Sequence, residues 1–223
     1  MSQAPVHRRT VSFEAYEQPG ALEVVGRLLD ERPWADGHVV TQVLHQMELR
    51  VVIRLDDLVI VEASPAMEHF PHAECPAIEP AFEGLVGLAV GRGYTREVQR
   101  RFGGVSGCSH LEHLARTLGP VVVQAVASHR AKAVAEGREK EFLSAEGGAW
   151  LRNTCHVWAD GGVGLAKLAA GWRPGRSPVP APALADIRGG AGAPSKAPAG
   201  PDDVGSPILP PGSAAAPARP ADP

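Results

Sequence analysis

Met47, Leu49, Val51, Ile53 and Leu55 occupy alternate positions, while Arg50 and Arg54 fall on the opposite side with Val52 between them. A repeat of two is the side-chain period of a β-strand, and a strand with one apolar side needs a sheet and a cover for that side. Asp56-Asp57 reads as a two-residue turn and Leu58-Val59-Ile60-Val61 as the returning strand. That register pairs Leu55 with Leu58 and Ile53 with Ile60 on one apolar face. Upstream, Val11, Phe13 and Ala15 alternate with Thr10, Ser12 and Glu14, and Pro19-Gly20 turns the chain into Leu22–Leu28. These patterns together predict an antiparallel β-meander of about four strands.

After Pro76 the period changes. Glu79, Pro80, Phe82 and Leu85 form a short amphipathic piece, and Thr95–Phe102 reads as a charged helix ended by Gly103-Gly104. Arg96, Arg100 and Arg101 then belong to a solvated helix face. Ser109 followed by Glu112 has the spacing of a capping box, which starts the next helix at His110, with Leu111, Leu114, Ala115 and Leu118 as its core-facing stripe. Gly119-Pro120 should end or kink it, because proline lacks the N–H and clashes with the preceding turn. A more buried helix should resume from Val121 to about Ala135. Residues 136–147 are polar and glycine-bearing, a loop, and Trp150–Trp158 reads as a last strand carrying Cys155 and His156. The expected fold class is α+β, with the meander packed against a C-terminal set of helices.

From Arg173 to Pro223 the chain holds 13 of its 21 prolines and no aromatic residue. Such a stretch cannot bury enough apolar surface to offset its ordering entropy. The expected organisation is therefore a flexible segment at 1–6, one domain at 7–172 and a disordered Pro/Ala/Gly-rich tail at 173–223. The net charge of -3 is without a basic stripe, which argues against nucleic-acid binding. His7, Arg8 and Arg9 are followed by no apolar run of a signal peptide, and no stretch has the length of a membrane span. Three widely separated cysteines do not suggest a disulfide framework, and a reducing cytoplasm fits them best.

The residues that could carry chemistry are few. Cys108, Ser109 and His110 stand at a helix start, where unpaired N–H groups favour an anion or a thiolate. Cys108 reads equally as a packed thiol, since free cysteines are often buried. His110 has no capping role of its own. Cys155-His156, taken with Cys108 and His110, suggests a zinc or iron site, because thiolate and imidazole are favoured ligands of such ions. Neighbours in a strand point to opposite faces, so only one of Cys155 and His156 would ligate. His45 heads the central strand and is either a satisfied edge residue or a base offered to a cleft. Asp30, Asp56 and Asp57 are most simply turn and strand-end residues, although Asp30 could orient a histidine. His38, His69, His72 and His129 read as surface residues. No Gly-rich phosphate loop, nucleophile elbow or His-Glu-x-x-His motif is present.

Several stretches carry a family resemblance. They are Leu22–Asp30, His45 with the strand after it, Cys75-Pro76, Leu85-Val86-Gly87, Gly93-Tyr94-Thr95, Gly103–Leu111 and Asn153-Thr154-Cys155-His156. They resemble the bacterial domain of unknown function numbered 2889, over nearly all of residues 7–174. The Gly-Cys-Ser-His-Leu stretch is the most specific part. The resemblance implies a bacterial origin and a single domain, and little about activity. His113 and the Pro-rich tail depart from the family pattern.

Two functions fit these residues. One is an enzyme acting on a small organic carboxylate or acyl-type substrate, a hydrolase or lyase by preference, with His110, Cys108 and His45 as its catalytic groups. The other is a non-catalytic ligand-binding or accessory protein. The enzyme would take a small-molecule substrate and the accessory protein a small ligand or a partner protein, with neither nucleic acid nor membrane as a partner, and either is compatible with a homo-oligomer.

Overall fold

The computed structural model describes residues 5–139 and 151–169. The tail read at 173–223, residues 1–4 and most of the loop read at 136–147 lie outside the described residues. The chain divides into two compact units, Met1–His129 and Arg130–Pro223, each taken here by itself.

The first unit opens with four strands: β1 (Arg8–Gln18), β2 (Ala21–Glu31), β3 (Val43–Arg54) and β4 (Ile60–His69). They form one antiparallel sheet in sequential order, the meander that the alternation requires. Pro19-Gly20 closes the β1–β2 hairpin in two residues. Gly20 there has φ +68, a conformation glycine adopts without a Cβ penalty, and Gln18 pairs with Ala21. Ile53 faces Ile60, as the alternation of both strands demands. Leu55 and Leu58 do not pair. They flank a longer turn in which Leu58 N–H donates to the Arg54 carbonyl and Leu58 has φ +57, while Leu55 N–H donates to the Gly20 carbonyl of the first hairpin. Asp57 stabilises that turn by accepting from the Val59 amide and from Arg54, so the turn is built around an acid side chain rather than two residues.

The inner face of the sheet carries Leu22, Val24, Leu28, Met47, Leu49, Val51, Ile53 and Ile60, all at most 2 % exposed. The outer face is a lattice of ion pairs in which Arg27 joins Glu14 and Glu48, and Arg50 joins Glu23 and Glu48. A shallow cleft of about 260 Å³ on that outer face is bordered by Thr10, Ser12, Arg27, Gln46, Glu48 and Glu68.

The cover follows in α1 (Glu79–Phe82), α2 (Tyr94–Phe102) and α3 (Ser109–Ala135). Phe82, Leu85, Val98, Leu111, Leu114, Ala115 and Leu118 complete the core. The buried Tyr94 hydroxyl donates to the Ala115 carbonyl at 3.0 Å and ties α2 to α3, and burial pushes its phenol up from the ordinary value.

One expectation for the helices is settled and two change. Of the two outcomes expected at Gly119-Pro120, an end does not occur: α3 runs on through it, with the proline inside a helix already held by the four core residues before it. Beyond Pro120 the helix is less buried, not more; between Val121 and His129 only Val122 is fully enclosed. The helix also starts at Ser109 rather than His110, and Cys108 is its cap residue, whose carbonyl accepts the Glu112 amide at 2.8 Å.

In the second unit, residues 155–158 are not a strand. Cys155 is extended, and His156–Trp158 form one 3₁₀ turn before α4 (Val163–Ala169). Trp158 N–H donates to the Cys155 carbonyl, Asn153 N–H to the Trp158 carbonyl and Asn153 has φ +59, a locally closed loop rather than a ladder. Trp150 lies outside the described residues.

Candidate functional site

The apolar rows of the inner face end in a polar one. Arg9 of β1, Asp30 of β2 and His45 of β3 are direct cross-strand partners. Each keeps the inward parity of its strand: Arg9 with Val11 and Phe13, Asp30 with Val24 and Leu28, His45 with Met47 and Leu49. The β2–β3 pairing shifts register just after Asp30, an irregularity of the kind that ends a ladder and re-aims side chains.

Asp30 is the centre of this row and the only buried polar residue among those described. Arg9 grips it with both arms, Nε on Oδ1 and Nη2 on Oδ2, each at 2.7 Å. His7 Nε2 lies 3.2 Å from Oδ1, on a segment held by the Trp34 indole N–H donating to the Val6 carbonyl. On the other oxygen, His45 Nδ1 lies 3.1 Å and His110 Nε2 3.4 Å from Oδ2. The His45 and His110 rings lie against each other with centroids 3.8 Å apart and planes tilted by 31°. Beyond them, Cys108 Sγ is 3.6 Å from His110 Nδ1. The His45 and His110 side chains are 18 % and 16 % exposed, against 2 % for Asp30, so the imidazoles stand between the buried acid and solvent.

The glycine before Cys108 sets its place. Gly107 passes so close to the turn behind it that a Cβ would stand 2.1 Å from the Phe102 carbonyl oxygen. Only a residue without a side chain lets α3 begin where it does, and that beginning brings Cys108 and His110 to the end of the sheet.

Charge follows from this geometry. Burial pushes the Asp30 carboxyl up, but the hydrogen bonds and charge of Arg9, with His45 and His110, outweigh it and hold the group down at about 2. Burial pushes His110 below its ordinary value, and His45 and Arg9 act in the same direction against the opposing pull of Asp30. The site at neutral pH thus sets an ionised acid and a matching guanidinium against a neutral His110 imidazole, with Cys108 beside it.

Of the residues singled out from the sequence, Cys108, His110 and His45 come together. Asp30, read first as a strand-end residue, is the buried acid that Arg9 and His45 hydrogen-bond, with His110 Nε2 3.4 Å away. Arg9 and His7 were missed, although the inward parity of Arg9 was visible in the Val11–Phe13 alternation. Among the described residues, the group of three or more ligand-type side chains whose ligand atoms lie within 4.8 Å of one another is Asp30, His45 and His110. Cys155 and His156 are exposed in the second unit and are not part of that group. His38, His69, His72 and His113 are exposed, whereas His129 is partly buried with Nδ1 2.8 Å from Glu17. No cysteine among the described residues is in a disulfide.

The model of one protein family, described as "Protein of unknown function (DUF2889)", matches residues 7–124. The chain belongs to that family. The DUF2889 match runs from the start of β1 into α3, so it contains Arg9, Asp30, His45, Cys108 and His110 and ends before Cys155 and His156. No curated protein and no solved structure matches this chain. No helix among the described residues is long and apolar enough to cross a membrane.

Proposed function

We propose that this protein is a bacterial cytoplasmic enzyme acting on a small organic carboxylate or acyl-type substrate, a hydrolase or lyase, through Cys108, His110 and Asp30. The observation that carries this reading is one line of contacts through a single imidazole. Cys108 Sγ stands at 3.6 Å from one ring nitrogen of His110 and Asp30 Oδ2 at 3.4 Å from the other. A nucleophile, a base and an acid that orients the base are the parts that acyl transfer needs, and such contacts are often long before substrate binds.

In the hydrolase form, the Cys108 S–H proton passes to His110 Nδ1 as sulfur forms a bond to the acyl carbon. The oxyanion that results faces the free N–H groups of the first turn of α3. The leaving group departs with the proton from His110, and water then releases the acid from sulfur. Asp30 holds the ring orientation and favours its charged state during transfer, and His45 packs the ring from the other side.

Iodoacetamide labelling followed residue by residue tests this without a known substrate. Cys108 should react faster than the equally free Cys75, and His110→Ala should slow Cys108 at least tenfold while leaving Cys155 unchanged. A panel of aryl esters and acyl thioesters should be cleaved by the parent and not by Cys108→Ser. If Cys108 labels no faster than Cys75 and is indifferent to His110→Ala, the thiol is a packed residue. One observation favours the second reading, a non-catalytic ligand-binding or accessory protein. Arg9 already occupies both oxygens of Asp30, which would also suit a cluster that only locks the end of the sheet.

A further inference from the structure

Asp30 Oδ2 has more neighbours than it has lone pairs. Arg9 Nη2 lies at 2.7 Å, His45 Nδ1 at 3.1 Å and His110 Nε2 at 3.4 Å. One carboxylate oxygen offers about two acceptor sites. Arg9 takes one, with ideal length and charge, which leaves two imidazoles competing for the other. The separation to His110 is outside the normal range of an N–H···O bond, yet the two rings lie against each other and aim nitrogens at the same oxygen. As a purely hydrogen-bonded cluster, the arrangement leaves one imidazole nitrogen facing an anion without a full bond.

A cation between the three atoms removes the conflict, because both imidazoles then turn a lone pair rather than a proton toward the centre. We infer that Asp30 Oδ2, His45 Nδ1 and His110 Nε2 are the ligands of a divalent transition-metal ion of the zinc, iron(II) or cobalt(II) kind. At ligand bonds of about 2.1 Å, the edges of the coordination polyhedron are about 3.0 Å for an octahedral ion and about 3.4 Å for a tetrahedral one. The two separations from Oδ2, 3.1 and 3.4 Å, lie within the span of these ligand–ligand edges. Two imidazoles and one carboxylate suit a borderline ion, whereas calcium and magnesium take oxygen ligands. Three protein ligands leave at least one position for water or a substrate oxygen.

The surroundings match what a ligating set needs. Arg9 and His7 hold Oδ1 and fix the carboxylate plane, and Cys108 Sγ lies beside the second nitrogen of His110. An ion on Nε2 holds the ring proton on Nδ1, where it donates to sulfur, the kind of outer partner that fixes a metal-bound imidazole. Cys108 is then a positioning residue, not a ligand. The inference goes beyond the thiol chemistry and does not need it. The two share His110, however: a ring that carries the ion on Nε2 and a proton on Nδ1 cannot also take the Cys108 proton.

The test is a titration of the chelator-treated full chain with zinc chloride by calorimetry, and with cobalt(II) chloride by visible absorption. One ion per chain is expected in each case, with cobalt bands that lack a thiolate charge-transfer feature. His45→Ala and His110→Ala should each weaken binding 10- to 100-fold or more. His45 is partly exposed, so its variants should fold; a matching thermal midpoint checks this, and His45→Gln replaces His45→Ala if the midpoint falls. Cys155→Ser and His156→Ala should leave the affinity within threefold, whereas Cys108→Ser, which removes the sulfur partner of His110 Nδ1 but keeps an acceptor there, should weaken it by less than the loss of either imidazole. Absence of saturable binding overturns the proposal, as does binding indifferent to His45 and His110, or a sulfur charge-transfer band lost with Cys108→Ser. None of these failures changes the labelling of Cys108 in metal-free protein, so failure of the metal site and failure of the thiol reading are told apart, although the thiol chemistry at His110 belongs to the metal-free chain.

Discussion

The Asp30 carboxyl is held at about 2 in the folded chain, against an ordinary value of 3.8, although its burial alone would raise it. A group depressed on folding contributes stability above its unfolded value and loses that contribution as pH falls through the folded one. Metal-free protein should therefore lose on the order of 2 kcal/mol between pH 4 and pH 2 from this group. Urea unfolding at stepped pH measures it, and Asp30→Asn should lack that part of the slope. At neutral pH the same variant leaves Arg9 facing a neutral amide and should cost about 3 kcal/mol. An unchanged acid limb in Asp30→Asn would mean that other carboxylates dominate. Ser109 behaves differently. It is exposed and is the first helical residue rather than the cap, so Ser109→Ala should change stability by less than about 0.5 kcal/mol.

Among the elements, α3 carries the consequences of two local choices. Gly107 leaves no room for a Cβ against the Phe102 carbonyl, so Gly107→Ala must push the start of α3 outward. The expected result is a loss of about 1–3 kcal/mol, together with loss of the fast labelling of Cys108. Normal stability with normal labelling would show that the turn can yield. Pro120 is exposed and sits inside a helix of 27 residues, where it removes one hydrogen bond from the ladder. Pro120→Ala should raise stability by about 1–3 kcal/mol, read from the thermal midpoint. A fall would mean that the proline sets a bend on which packing depends.

For the molecule as a whole, the sheet is a two-sided device, apolar toward the helices and ion-paired toward solvent. Ile53 is 1 % exposed and opposite Ile60, so Ile53→Asp puts a charge into the centre of the inner face. The expected cost is several kcal/mol, seen as insoluble or molten protein, and a variant as stable as the parent would mean that the core does not rest on this row. The same face continues past its apolar rows into Arg9, Asp30 and His45. The candidate site is thus an extension of the core packing, and its geometry depends on how α1, α2 and α3 cover the sheet.

The strands, their order, the Pro19-Gly20 hairpin, the Ile53–Ile60 pairing and the stripe of α3 were legible in the sequence, because period and turn chemistry are local properties. Cys108, His110 and His45 were legible as candidates for the same reason: a helix start and a strand end are recognisable from neighbours. What joins them was not. Asp30 reads as a strand-end acid until β1 and β3 are laid beside it, and Arg9 reads as one of several N-terminal charges until its register places it across from Asp30. The loop at Cys155 also escaped local rules, and they left open whether α3 ends at Pro120; it continues because four buried side chains outweigh one missing hydrogen bond. Sequence by itself determined which residues face inward; only the tertiary structure decided that Arg9 and His45 from the flanking strands and His110 from the start of a helix meet at the Asp30 carboxylate, with Cys108 beside His110. The reason is that facing inward is a matter of period, whereas meeting is a matter of register and of where a helix begins, and both are set by contacts between residues far apart in the chain.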